Sequence, residues 1–249
     1  MEHRGLDIKK ALEHMPVVIL PPMEASESTR LLQEQGIVCA SAILDPWYNR
    51  GTGGVIPMED YDQFIEGLVR DTAKVADVMY LWGFAEIIGA YARRAPEGFT
   101  VAWLTWFYKN CPSVIRGWRS AQQSCIQFRR EDVKLHPENF LEGEQLEKYK
   151  AGKMRYVPGP TSVIEAAMPI GFVGRTEQTG HPAQKPEAAI KPLVLMSTVP
   201  GDTVFDPMAG SGTTAAVAVK TGRKAIVCDQ KEEYIQLIEN RIGIKRLQP

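Results

Sequence analysis

The sequence is poor in the features that announce several protein classes. Its four cysteines, at 39, 111, 125 and 228, lie far apart, with no CxxC pair and no histidine pair at helical spacing. That excludes a disulfide framework and a zinc ribbon and leaves reduced, partly buried thiols, so no metal is expected. No apolar run approaches the roughly 18 residues needed to span a membrane. The stretch 15–22 is the longest, and it carries three prolines. The charged opening MEHRGLDIKK is followed by no apolar stretch with a small-residue cleavage site, so a cytoplasmic chain away from membranes is expected. Net charge is only −1, so no global positive field advertises a polyanionic partner and any basic surface must be local. There is no internal repeat and no low-complexity tract.

What is present is ordinary globular material. With 249 residues, 44% hydrophobic and 24% charged, the chain can bury a sizeable core as one large domain. Residues 7–14 suit a short helix that the prolines of 16–22 stop. Residues 26–35 read as a helix closed by Gly36. The apolar run 37–44 reads as a strand ending abruptly at Asp45-Pro46-Trp47-Tyr48, and the NRGTGG of 49–54 as a flexible loop. Residues 59–72 have helical spacing, with Tyr61, Phe64, Ile65 and Leu68 on one face. A strand at 75–82, a helix at 85–95 and a strand at 100–107 follow. Periodicity then weakens: 109–160 holds ten basic and six acidic residues and reads as a solvated insertion. The end is clearest, with strand 203–206, a Gly-rich turn at 207–212, helix 213–220, strand 224–228 and helix 232–241. This alternation implies a parallel sheet with right-handed crossovers and helices on its faces.

Three motifs carry chemistry. In Phe205-Asp206-Pro207-Met208-Ala209-Gly210-Ser211-Gly212-Thr213-Thr214, a Gly-rich turn between strand and helix lets a ligand lie on bare backbone. Asp229, at the tip of the following strand, can accept both hydroxyls of a ribose. A phosphate-binding loop would need Gly-Lys-Ser/Thr, which is absent. A dinucleotide site would want a third glycine where Ala215 stands, and S-adenosylmethionine needs the acid and bare turn without a phosphate cradle. In Asp45-Pro46-Trp47-Tyr48, a carboxylate and a rigidly held carbonyl can converge on an amino group, beside an aromatic on which a base can stack. In Thr179-Gly180-His181-Pro182-Ala183-Gln184-Lys185-Pro186, prolines stiffen a segment bearing one cation suited to a carboxylate. Taken singly, each is equally read as a tight turn, a surface aromatic and an exposed lysine.

In this order the three resemble the amino-methylating DNA methyltransferases, in the permuted arrangement where the catalytic tetrapeptide precedes the cofactor-binding half. The likeness runs over about residues 37–242. It implies an α/β fold, Rossmann-like and S-adenosylmethionine-dependent, with a mostly parallel central sheet and helices on both faces. It further implies one methyltransferase domain over 1–249, with 129–180 as a small target-recognition insertion. By this resemblance Asp45 and the Pro46 carbonyl hold the target amine, and Tyr48 stacks on an extruded base. Trp47 stands where most members have proline. Phe205, Asp206, Pro207, Gly210, Ser211, Gly212 and Thr213 surround the cofactor, Asp229 holds its ribose, and Lys185 meets its carboxylate. Arg50, Lys109, Arg116 and Arg119 are the candidates for contact with duplex DNA. Cys111 is read as structural, since its proline follows it, the wrong order for attack on a cytosine ring carbon.

Asp at the first catalytic position points to adenine. Cytosine amino methylation, an RNA or protein amide substrate, and a silent DNA-binding subunit are the alternatives. A homodimer and a separately encoded restriction nuclease are the further partners expected.

Overall fold

The computed structural model describes residues 5–50, 54–111 and 117–248. Eight strands form one sheet in the order β1-β8-β7-β2-β3-β5-β4-β6. In chain order they are β1 (Val17–Ile19), β2 (Cys39–Leu44), β3 (Ala76–Gly83), β4 (Phe99–Phe107), β5 (Gln122–Arg130), β6 (Val163–Glu165), β7 (Thr203–Asp206) and β8 (Lys224–Val227). Every pairing is parallel except those of β5 with β3 and with β4, so a single reversed strand interrupts a parallel sheet.

Period-two alternation distributes the side chains to two faces. Val18, Leu44, Met79, Leu81, Phe205 and Ile226 pack in one core with the helices α1 (Ile8–His14), α2 (Ala25–Glu34) and α3 (Met58–Thr72). Ile43, Val78, Tyr80, Trp82 and Val204 face the opposite way, onto α6 (Glu187–Ser197). On that same side Val17, Ile19, Ala225 and Val227 meet α7 (Thr213–Lys220) and α8 (Glu232–Ile242). Strands buried on both faces must be apolar throughout, which is why 37–44 and 75–82 read so clearly as strands. Two short helices, α4 (Ala85–Ile88) and α5 (Gly143–Lys150), complete the set.

Local signals act where expected at most ends. Asp7 caps α1, its carboxylate accepting from the Lys10 N–H at 2.9 Å. Gly36, at φ +59°, and Gly243, at φ +73°, close α2 and α8 in the left-handed region. The helix expected over 85–95 is shorter: α4 ends at Ile88, and a 3-10 turn covers Tyr91–Arg93.

Three strands depart from the expectations. The prolines of 16–22 flank β1, an edge strand whose three residues are all buried. The reading of 109–160 as a solvated insertion fails for β5, whose stretch from Ser124 to Phe128 is buried between β3 and β4. Its polar residues concealed it: Gln127 spends its side-chain amide on the Tyr80 hydroxyl, at 2.8 Å. Of the segment 129–180, the end of β5 and all of β6 also belong to the sheet. Truncating Phe128, which is fully buried on β5, to alanine is expected to cost about 3–5 kcal/mol. Urea unfolding would show a lower midpoint at unchanged slope, whereas a solvated segment would give almost no shift.

Candidate functional site

After β2 the chain crosses to β3 on one side; after β7 it crosses to β8 on the other. The direction of winding reverses between β7 and β2, and open α/β sheets leave a crevice outside the carboxyl ends of the strands at such a point. A cleft of about 370 Å³ lies there. Asp45 follows β2 directly, Asp206 ends β7, and Asp229 stands just past β8, so three neighbouring strand tips deliver three carboxyl groups to it.

The turn after β7 is a cradle of exposed backbone. Gly210 and Gly212 hold φ of +46° and +73°, which only glycine adopts without strain. A Cβ on Gly210 would come within 2.9 Å of the His181 Nε2, so the turn and the 179–186 segment close on each other. His181 in turn packs on Tyr234, ring centroids 4.4 Å apart, and burial lowers its pKa, keeping the imidazole neutral. Asp206 braces the turn from beneath, accepting from the Thr214 hydroxyl at 2.5 Å and the Met208 N–H at 3.1 Å. Asp229 accepts the N–H groups of Gly210 at 3.0 Å and Lys231 at 3.1 Å, one on each oxygen. Each oxygen keeps further acceptor capacity.

On the other side of the cleft, Pro46 follows Asp45 and is buried. The Trp47 ring leans onto α3, 4.8 Å from Phe64 and 5.3 Å from Tyr61, and the Tyr61 hydroxyl donates to the Trp47 carbonyl at 2.6 Å. At the position where the resemblance leads one to expect proline, an indole is thus pinned to the sheet's covering helix. Tyr48 donates to Asp45 Oδ1 at 2.7 Å and lies edge-on to Phe84. Burial, and then Asp45, push its hydroxyl well above the ordinary range, so it stays protonated. Asn49 clasps Ile56 through both backbone groups, at 2.7 and 3.0 Å, fixing the ends of the glycine-rich loop. Residues 51–53 of that loop lie outside the described residues.

Lys185 is placed otherwise than expected. Its buried ammonium bonds Asp45 and Tyr48, where an approach to a cofactor carboxylate was anticipated. Arg50 stacks 3.4 Å above the Phe84 ring and pairs with Glu86 at 2.9 Å. Lys109 pairs with Glu165 at 2.6 Å and Arg119 is exposed. Both flank the hairpin whose last pair, Phe107 with Gln122, is at the cleft end of the sheet. Arg116 lies outside the described residues. Pro207, Ser211 and Thr213 line the cleft beside the turn, whereas Phe205 is fully buried in the core under α1–α3 and does not line it. Among the described residues no cluster of His, Cys, Asp and Glu could hold a metal ion, and Cys111 packs against the core near α6.

Sequence reasoning missed Gln123, whose Oε1 lies 3.2 Å from the Tyr48 hydroxyl, because it starts a strand that was not visible. It also missed His181 as a wall of the turn and Glu24, at the start of α2, as part of the cleft lining. No signal marked Gln123 or Glu24, which reach the cleft through tertiary packing alone, while His181 stood inside the 179–186 motif, where only the lysine was given a role.

A doubly wound sheet with a glycine-lined crevice at its switch point, and an acid on the next strand tip, defines the Rossmann-like class that receives nucleoside-bearing ligands. The DNA methylase family model matches residues 40–240, and the chain belongs to that family. It is 49% identical to the DNA adenine methyltransferase YhdJ of Escherichia coli (strain K12) over 71 residues, 28% of this chain and 22% of that protein. It is 28% identical to the type II methyltransferase M.HpaI of Haemophilus parainfluenzae over 148 residues, 57% of this chain and 44% of that one. The match thus spans less than half the length of either curated relative. The crystal structure of an M1.HpyAVI–SAM complex superposes with a TM-score of 0.69 at 21% identity, over 92% of this chain and all of that one. No helix among the described residues is long and apolar enough to cross a membrane.

The buried Asp206 gives a pH test of this geometry. Burial pushes its carboxyl up to about 7 from the ordinary 3.8. The folded chain therefore keeps a proton that the unfolded chain releases, and the stabilisation is full below about pH 4 and lost as pH rises through about 7. Asp206→Asn is expected to melt increasingly above the wild type as pH rises from about 5 to about 8, by about 2–4 °C per kcal/mol recovered. A gap independent of pH in differential scanning calorimetry contradicts the raised value.

Proposed function

We propose that this protein transfers a methyl group from S-adenosylmethionine to the exocyclic amino group of adenine in duplex DNA. One observation carries the reading: the Asp45-Pro46-Trp47-Tyr48 tip and the Gly-rich turn with Asp229 face each other across a single cleft. A ligand in the turn and an amine at Asp45 would be neighbours.

The residues present fit such a cofactor. The bare backbone at Gly210 admits close approach, and Asp229 suits a ribose diol. The 207–212 turn contains no lysine or arginine, the Arg241 guanidinium that donates to its Ser211 carbonyl at 3.0 Å is paired with Glu187, and the Asp229 carboxylate bonds its Gly210 N–H, which suits a ligand with a sulfonium better than a pyrophosphate. A cleft of about 370 Å³ is of the size that ligand pockets have. Bound there, S-adenosylmethionine supplies an electrophilic methyl group on positively charged sulfur.

A base stacked in a duplex cannot bring its amine to this cleft, so the target is rotated out of the helix. Asp45 and the Pro46 carbonyl accept its two amine hydrogens. Those bonds draw the nitrogen lone pair out of conjugation and aim it at the methyl carbon. The new N–C bond forms as the C–S bond breaks, its electrons staying on sulfur, and the nitrogen then sheds a proton to water at the cleft mouth. Positioning and electrostatics carry the rate, with no covalent enzyme intermediate. Target recognition belongs in this reading to the part of 129–180 that stands off the sheet. There Tyr156 and Phe172 are exposed aromatics among the exposed cations Lys153, Arg155 and Arg175. Adenine is favoured by Asp at the first catalytic position and by the name of the Escherichia coli relative.

The direct test incubates the protein with mixed-sequence duplex DNA and methyl-labelled S-adenosylmethionine, digests the DNA and identifies the labelled nucleoside. Methylated adenine is the expected product. Label on the cytosine amine would keep the mechanism and change the substrate, and label only in RNA or protein would overturn the DNA reading. Asp45→Ala is expected to lower the transfer rate by about 10²–10³-fold, because it removes an acceptor aligned with the reacting amine.

A further inference from the structure

We infer that Lys185 is a positioning residue for the target-amine site, holding Asp45 and Tyr48 in their working geometry, and is not the anchor of the cofactor's carboxylate. The inference rests on the methyl-transfer reading and deepens its account of that site.

The residue faces two ways. Its backbone is on the cofactor side: the Lys185 carbonyl accepts from the Thr213 hydroxyl, at the start of α7, at 3.0 Å. Its side chain turns across to the tip of β2 and is 4% exposed. All the partners of the ammonium are on that far side. It donates to Asp45 Oδ2 and, at 2.6 Å, to the Tyr48 hydroxyl, and lies 5.0 Å from the centre of the Trp82 ring. Moving the ammonium to a carboxylate in the turn would leave the largely buried Asp45 carboxylate without its cation, which is costly.

The direction of each hydrogen follows from what the groups can do. Lysine can only donate, so the Tyr48 oxygen is an acceptor toward Lys185. Tyr48 has one hydrogen, and its closer acceptor is Asp45 Oδ1 at 2.7 Å, ahead of Gln123 at 3.2 Å. Lys185, Tyr48 and Asp45 thus form a closed ring in which each carboxylate oxygen receives one bond. Rotation of the carboxylate is blocked at both ends, and each oxygen keeps capacity to accept an amine hydrogen from the cleft. The root of the side chain is fixed too. Pro186 leads into α6, and Glu187 is tied to Lys220 at 2.6 Å and Arg241 at 3.0 Å.

The test separates binding from transfer in Lys185→Met, with Lys185→Gln as a second variant should the first fail to fold. Calorimetric titration with S-adenosylmethionine is expected to give a Kd within about fivefold of wild type. Single-turnover methylation of DNA at saturating S-adenosylmethionine is expected to fall about 100-fold. A Kd weakened more than about fivefold, or a transfer rate brought back to within about tenfold of wild type by saturating cofactor, overturns the assignment. A wild-type protein that methylates no DNA overturns the underlying reading instead, and the ratio of the two Kd values still decides the role of Lys185.

Discussion

The site depends on one contact between distant parts of the chain, the parallel pairing of β2 with β7. Two residue pairs make it, Ser41 with Val204 and Ala42 with Phe205. The chain leaves the two strands in opposite directions, so no crossover helix can cover the gap above them. A crevice follows from topology, before any side chain is chosen. What the side chains add is charge: Asp45 and Asp206 stand at the tips of these strands, with Asp229 one strand further along. The core on either face holds the strands in register, because a slip of one residue would exchange Leu44 with Ile43 and turn both away from their helices.

Burial then gives each acid a different character. Asp206, enclosed beneath the turn, is pushed toward the neutral form and acts as a brace for backbone and the Thr214 hydroxyl. Asp229, also raised by burial, receives two backbone N–H groups that favour its charged form. Asp45 is given a lysine. Three carboxyl groups at adjacent strand tips are thus set apart by what surrounds each one: a hydroxyl and a backbone N–H at Asp206, two backbone N–H groups at Asp229, and an ammonium with a phenol at Asp45.

Much of this was legible in the residues. The alternation of β7, α7, β8 and α8 follows from Gly and Pro punctuation and short apolar runs, and its boundaries fall within a residue or so of those expected. The three motifs were also visible, and they do line one cleft. What escaped was set by long-range packing. The strand β1 hides between prolines because as a short edge strand it needs few ladder bonds. The strand β5 hides because two of its inward positions are polar, and they pair with partners far along the chain, such as Tyr80. The orientation of Lys185 could not be read either: spacing shows that a cation is near the turn, but its direction is decided by a carboxylate 140 residues away.

The reversal of β5 has a consequence for how such a protein can diversify. Because β4 ends and β5 begins at the cleft end of the sheet, the connection between them emerges beside the entrance to the site. Length and composition there can drift without disturbing one rung of the ladder, since loop insertions cost little once the hairpin is anchored. The same strand start carries Gln123 to Tyr48. Variation in an entrance loop and conservation of a reactive centre can therefore proceed on one hairpin, a modular separation in which new surface contacts are sampled while the chemistry is inherited intact.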